Sequence, residues 1–149
     1  MTTQEITMQI RDVQPDDAIA IEALLTSLGY PGTSSFIADK LQQQLAHPDA
    51  KLLVAVEDSQ VLGFVSLHFI PQIALPGDFC RISYFCVAEA ARSSGIGQAL
   101  ELEIVNQAKA RGCDRIEVHC HSRREKAHRF YARQGYLESP KYLVKSLLA

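Results

Sequence analysis

Between residues 88 and 104 the chain reads AEAARSSGIGQALELEI, which sets Arg92, Ser93, Ser94, Gly95, Ile96, Gly97 and Gln98 directly ahead of an amphipathic helical run. That composition suits a phosphate cradle. Glycine lets the backbone turn sharply and lets a ligand approach the amides with no Cβ in the way. The unpaired N–H groups and the dipole at a helix start attract an anion. Ser93, Ser94 and Gln98 add hydrogen-bonding groups, and Arg92 adds a fixed positive charge. The run is neither a P-loop nor a GxGxxG dinucleotide fingerprint. A flexible turn with a solvated arginine would have the same composition, so the motif needs its context.

The elements that would hold this loop are legible along the chain. TMQIRDV alternates as a first strand, and QPDDAIAIEALLTSLGY reads as a helix with Pro15 near its start and Gly29 at its end. TSSFIADKLQQQLAHPD is a second helix, with Thr33 as the expected N-cap and Pro48 beyond its end. KLLVAVED and QVLGFVSLHFI read as strands joined by a turn at Asp58 and Ser59, and DFCRISYFCVAE as a strand buried on both faces. From Gly95 to Arg111 a stripe of Ile96, Leu100, Ile104 and Ala108 marks a helix that stops at Gly112. DRIEVHCH is a strand, and SRREKAHRFYARQGY is a helix opened by a capping-box spacing of Ser122 and Glu125. YLESPKYLVKSLL is expected to close the chain as two short strands around Ser139 and Pro140. The order β-α-α-β-β-β-α-β-α-β-β predicts an α/β (α+β) fold, a mixed, strongly twisted sheet of about seven strands flanked by four helices.

Size and charge bound the function. With 149 residues, 47% of them hydrophobic, the chain suits a single domain, 1–149, with a sizeable core. Charged residues make up 21% and the formal net charge is −2, which gives no push toward nucleic acid. The opening MTTQEITMQI lacks a basic region and a long apolar run, so no secretory signal is expected. No apolar stretch approaches the roughly 20 residues of a membrane-spanning helix. Cys80, Cys86, Cys113 and Cys120 form no CxxC pair and read as reduced core thiols. A cytoplasmic protein with no nucleic-acid or membrane partner is the expectation.

A second stretch, AHRFYARQGY at residues 127–136, supplies the context. Together with the loop at 92–98 it resembles the GNAT superfamily of acetyl-CoA-dependent N-acetyltransferases, most strongly from Phe79 to Tyr136. The resemblance implies acetyl-CoA as cosubstrate, with Arg92 to Gln98 wrapping the pyrophosphate of coenzyme A. It implies a bulge in the strand ending at Val87, with Phe85, Cys86 and Val87 offering backbone groups to the pantetheine arm. It places Tyr131 on the tyrosine usually assigned as general acid toward the departing thiolate. Taken by itself, Tyr131 is equally a core aromatic beside Phe130. A homodimer is also what the family suggests.

The base is less apparent. An alkyl ammonium with a pKa near ~10 must lose a proton before it can attack, at a cost of roughly 4 kcal/mol across three pH units. Many relatives carry a carboxylate on the strand before the cofactor loop, whereas RISYFCV has Ser83 and Tyr84 and no acid after Asp78. His119 and His121 share one face of their expected strand and titrate near neutrality, and His68 sits late in an earlier strand. Each is a candidate base; each is also an ordinary hydrogen-bonded strand histidine. His128 reads as structural. No residue set has zinc-ligand spacing, so no metal is expected. Arg123, Arg124, Lys126, Arg129 and Arg133 form either a solvated helical face or a contact for the 3′-phosphate of coenzyme A.

The closing Ser139-x-x-Tyr142-x-x-Lys145 and the GFVSLHF strand are similar to the branch of aminoalkylphosphonate N-acetyltransferases. That resemblance implies a small primary amine bearing an anionic group as acceptor, with Tyr30, Phe36 and Tyr142 as pocket walls or as plain packing. Two other functions share the cofactor loop: acetylation of a protein or peptide, and a non-catalytic acyl-CoA-binding regulatory module.

Overall fold

The computed structural model describes residues 8–92, 94–119, 124–139 and 142–148. Strands β1 (Met8–Asp12), β2 (Ala50–Glu57), β3 (Gln60–Ile70), β4 (Asp78–Val87) and β5 (Cys113–Val118) lie in that order in one sheet. The helices are α1 (Ala18–Leu28), α2 (Ile37–Leu45), α3 (Ile96–Ala110) and α4 (Glu125–Arg133). β1 to β4 form an antiparallel meander. β5 joins at the β4 edge after the α3 crossover, which makes the sheet mixed. The chain divides into two compact units, one ending at Glu117 and the other beginning at Val118.

Each expected turn has a local cause. Asp58 and Ser59 both have positive φ, 50° and 63°, the backbone of a two-residue type I′ hairpin turn between β2 and β3. Gly29 ends α1 at φ 111°, its N–H bonded to the carbonyls of Leu25 and Thr26. α2 differs from expectation. Its N-cap is Phe36, not Thr33, because the Thr33 carbonyl already takes the N–H groups of Phe36 and Ile37 at 3.0 and 2.8 Å. That tight turn leaves the Thr33 hydroxyl buried without a partner among the described residues. At α4 the N-cap is Arg124, with no side-chain capping bond, and the Ser122 of the expected capping box lies outside the described residues.

The sheet is covered on both faces in the first unit. On one side Leu52, Val54, Phe64 and Cys86 pack with Ile21, Leu24 and Leu25 of α1 and Ile37 and Leu41 of α2. On the other side α3 lies over β3 and β4, and its predicted stripe of Ile96, Leu100, Ile104 and Ala108 is fully buried. Burying both faces explains the near-continuous apolar runs in β2 and β3.

Among the described residues the sheet has five strands, not about seven. The two closing strands expected in YLESPKYLVKSLL are absent among the described residues, where 136–139 and 142–148 have no regular structure. Leu137, Leu143, Val144, Leu147 and Leu148 are all exposed. A strand is held by a ladder partner and a buried face, and these residues have no such face to bury. β5 also stops at Val118, short of His119.

Candidate functional site

β4 carries one residue more than its partner. Ser66 pairs with Tyr84 and Leu67 with Ile82, so Ser83 is the extra residue of a β-bulge. The consequence is chemical. Strict alternation from Tyr84 would turn Ser83 toward the face of Leu67, which is fully buried. The bulge turns it instead to the face of His68, and Ser83 Oγ lies 2.6 Å from His68 Nδ1. The hydroxyl is the donor when the imidazole carries its proton on Nε2. Burial pushes the His68 pKa down, and the nearby His47 and Arg81 push it the same way, so the ring is held neutral.

The groups around this pair are polar and charged. Arg81 stands directly across from His68 in the β3–β4 register. Its Nη2 lies 3.6 Å from Glu117 of β5, which Arg115 also reaches at 2.9 Å. Both arginines lie over the Phe79 ring, at 5.6 and 5.4 Å. The Nε of Arg81 is buried and has no hydrogen-bond partner among the described residues. Ser66, buried in β3, meets Gln44 of α2 at 3.4 Å. Tyr30, in the loop after α1, meets Tyr84 edge to face, with ring centroids 5.4 Å apart and both rings partly exposed. Burial first, then Tyr30, raises the Tyr84 pKa.

The glycine loop leads into the other end of β4. After Val87 a short 3₁₀ turn (Glu89–Ala91) ends at Arg92, whose side chain is exposed, and Gly95 caps α3 at φ 90°. L side chains rarely adopt that backbone, and a Cβ built on Gly95 would meet nothing within 4 Å, so the space beside it is open. As in any helix, the first-turn amides of α3, from Ile96, Gly97 and Gln98, have no partner within the helix itself. Ile96 itself is buried beneath them and fixes the helix start on the core. The Ser94 hydroxyl donates to the Ala91 carbonyl and braces the turn. Ser93 lies outside the described residues. Open amides, a positive-φ glycine and an exposed arginine fit a diphosphate. Phe85, Cys86 and Val87 form the end of β4, paired with Val65, Phe64 and Gly63, and the Cys86 side chain is committed to the α1–α2 core.

The second unit holds the remaining candidates. Tyr131 lies on α4, half-buried, with its ring edge to face with Phe130 at 5.4 Å and 5.3 Å from the Tyr136 ring. His119 is exposed beyond the end of β5, its ring 4.2 Å from that of Tyr142. The shared strand face expected for His119 and His121 therefore does not extend to His119, and His121 and Cys120 lie outside the described residues. Arg124, Lys126, Arg129 and Arg133 are exposed, with Arg129 4.0 Å from Glu125 one turn earlier, and Arg123 lies outside the described residues. Cys80 and Cys86 are buried, and burial pushes the Cys80 pKa up to about 12. No cluster of metal-ligating side chains occurs among the described residues.

Comparison with known proteins gives these features a common context. The acetyltransferase (GNAT) family model matches residues 18–136. An aminoalkylphosphonate N-acetyltransferase of Salmonella typhimurium is 27% identical over 130 residues, covering 87% of this chain and 82% of that protein. An aminoglycoside N(6′)-acetyltransferase type 1 of Klebsiella aerogenes is 29% identical over 110 residues, covering 70% of this chain and 72% of its own length. Among solved structures, a transcriptional regulator from Bacillus halodurans superposes with a TM-score of 0.86 at 24% identity, over 95% of this chain and 100% of that one, a likeness of fold.

Proposed function

This chain belongs to the GNAT acetyltransferase family and is an acetyl-CoA-dependent N-acetyltransferase; from that premise we propose that its acceptor is the primary amine of a small molecule that also carries an anionic group. The observation that carries the anionic group is Arg81. A guanidinium Nε with no partner among the described residues is a hydrogen-bond donor left for a ligand, and the Nη2 contact to Glu117 is long enough to yield to a stronger acceptor. Carboxylate, phosphate and phosphonate all match the planar guanidinium fork. Arg81 also lies across from His68 and two residues from Ser83, so an anion held there would keep a short amine near the bulge. The relatives named for aminoalkylphosphonate and aminoglycoside acetylation support a small amine over a peptide.

Acetyl-CoA supplies a thioester as the acetyl donor. Arg92, Ser93, Ser94 and the amides of Gly95, Ile96, Gly97 and Gln98 would hold its pyrophosphate, and the backbone of Phe85, Cys86 and Val87 its pantetheine arm. Tyr131 would donate the proton that the departing thiolate needs, with the amine attacking the thioester directly. In this reading residues 1–149 act as one catalytic domain, a dimer in the cytoplasm, and the family match running across both compact units supports the single domain. No described helix is long and apolar enough to cross a membrane.

The test is coenzyme A release, followed with a thiol reagent, across aminoalkylphosphonates, amino acids, aminoglycosides, polyamines and lysine peptides. Anionic small amines are expected to give the highest kcat/KM, with Arg81→Gln raising KM for them and leaving neutral amines little changed. Preference for lysine peptides or polyamines would reject the proposed acceptor. Tight acetyl-CoA binding with no amine-dependent release would favour the non-catalytic module.

A further inference from the structure

We propose that Ser83 and His68 form the proton relay that deprotonates the acceptor amine, an inference that rests on the acetyltransfer reading above. The first ground is the bulge. β4 spends an extra residue at Ser83, and the effect is to bring one hydroxyl out of a fully apolar face and onto the imidazole of the neighbouring strand. Bulges re-aim side chains next to active sites.

The second ground is geometry. With its proton on Nε2, His68 accepts the Ser83 hydroxyl through Nδ1 at 2.6 Å, which leaves the lone pairs of Oγ free to accept from an ammonium. Nucleophile-side hydroxyl and base within that distance are the arrangement that proton transfer requires. The groups that face His68 fix its state. Arg81 stands across from it on β4, with Glu117 of β5 beyond, and His47 approaches from the end of α2. Across the ladder in β2 stands Ala50, which is uncharged. Burial first, with His47 and Arg81 acting in the same direction, keeps the ring neutral at neutral pH and ready to accept. They would also disfavour the imidazolium once formed, which makes it a transient carrier that passes its proton to water.

The step balances. An ammonium proton moves to Ser83 Oγ as the Ser83 hydroxyl proton moves to His68 Nδ1, giving a neutral amine and an imidazolium. The freed nitrogen lone pair then forms the C–N bond at the acetyl carbonyl, and the C–S bond breaks with its electron pair on sulfur. Ser83 is the catalytic residue that meets the amine, and His68 is the positioning residue that takes the proton through it. No carboxylate on β4 is needed, which accounts for its absence after Asp78 in this strand.

The experiment compares wild type, Ser83→Ala and His68→Gln with two nucleophiles: an alkyl amine and hydroxylamine, which is already neutral at the assay pH. With the alkyl amine both variants should lose about 10²-fold in kcat, with acetyl-CoA affinity unchanged. The acid limb of the wild-type kcat profile should lie below the ordinary histidine value of about 6.5 and vanish in His68→Gln. With hydroxylamine all three proteins should perform within a few-fold of each other, since no proton has to leave before attack. Equal losses with both nucleophiles would mean that the pair only shapes the site, and would overturn the relay, as would full alkyl-amine activity in either variant. A wild-type protein that acetylates neither nucleophile overturns the acetyltransfer reading, and the relay with it.

Discussion

Gly63 of β3 lies so close beneath Leu100 of α3 that a Cβ on its backbone would come within 2.7 Å of the leucine Cδ1 and 3.3 Å of Ile96 Cγ2. Both side chains are buried, so neither has free space to swing into. The glycine is therefore what lets the start of α3, and with it the loop at 92–98, sit down on the sheet. Gly63→Val should cost about 1–3 kcal/mol through overpacking, and Gly63→Ala less. Urea unfolding measures both. A valine variant with the wild-type midpoint would show that Leu100 can move aside.

Asp17 is buried and accepts two hydrogen bonds from Arg11, at 2.8 and 2.9 Å, and one from the Gln14 N–H at 2.7 Å. The Arg11 bonds hold its carboxyl below the usual range, with burial opposing and the Gln14 bond assisting. A depressed folded pKa stabilises above the unfolded carboxylate value of about 3.9, and that stability is lost as pH falls through the lower, folded value. Asp17→Asn should cost about 1.5–3 kcal/mol at neutral pH, the range for hydrogen bonds to charged groups. The difference from wild type should narrow as the pH is taken into the acid range. Urea midpoints at both ends of that range test it, and a pH-independent difference would reject the charge as its origin.

The parts of this fold that sequence made legible are those with a strong local cause. The α3 stripe from Ile96 to Ala108 has an unbroken helical period, and Asp58–Ser59 sits between two apolar strands, so both emerged as expected. The elements read wrongly depend on contacts that no local pattern contains. Thr33 is a good capping residue by type, yet its carbonyl was taken up in a tighter turn. Leu143, Val144, Leu147 and Leu148 have strand-like character but no buried face. The bulge did leave a mark in the sequence. Cys80 and Ile82 are buried at even positions, and the ladder then puts Phe85 on that same face at an odd one, so the period of two slips near Ser83. That slip identifies a bulge, but only the β3 register identifies His68 as its partner. Arg81 and Glu117 escaped notice for the same reason, being separated by 36 residues and joined only across two strands.

Gly97 occupies the second position of α3, in the turn whose amides point away from the helix body. A valine there keeps the helical backbone but places two methyl groups where a diphosphate would approach. Gly97→Val should raise the acetyl-CoA dissociation constant about tenfold, or ~1.4 kcal/mol, with a small loss of stability. Titration calorimetry with acetyl-CoA gives the affinity, and a thermal melt confirms folding. Unchanged affinity in a folded variant would move the phosphate site away from this loop.

Tyr131 separates packing from chemistry more cleanly than any other candidate. Its ring is held between Phe130 and Tyr136, and its backbone carbonyl takes the N–H groups of Gln134 and Tyr136 at 3.0 Å each as α4 ends. Tyr131→Phe keeps the aromatic ring of this cluster and removes one O–H. If the hydroxyl supplies the proton to the leaving thiolate, turnover should fall by about 10- to 10⁴-fold, a range around the usual general-acid contribution, with acetyl-CoA affinity little changed. Steady-state kinetics across pH, paired with direct binding of acetyl-CoA, distinguishes the outcomes. Full turnover in the phenylalanine variant would assign Tyr131 to packing and leave the proton to come from solvent.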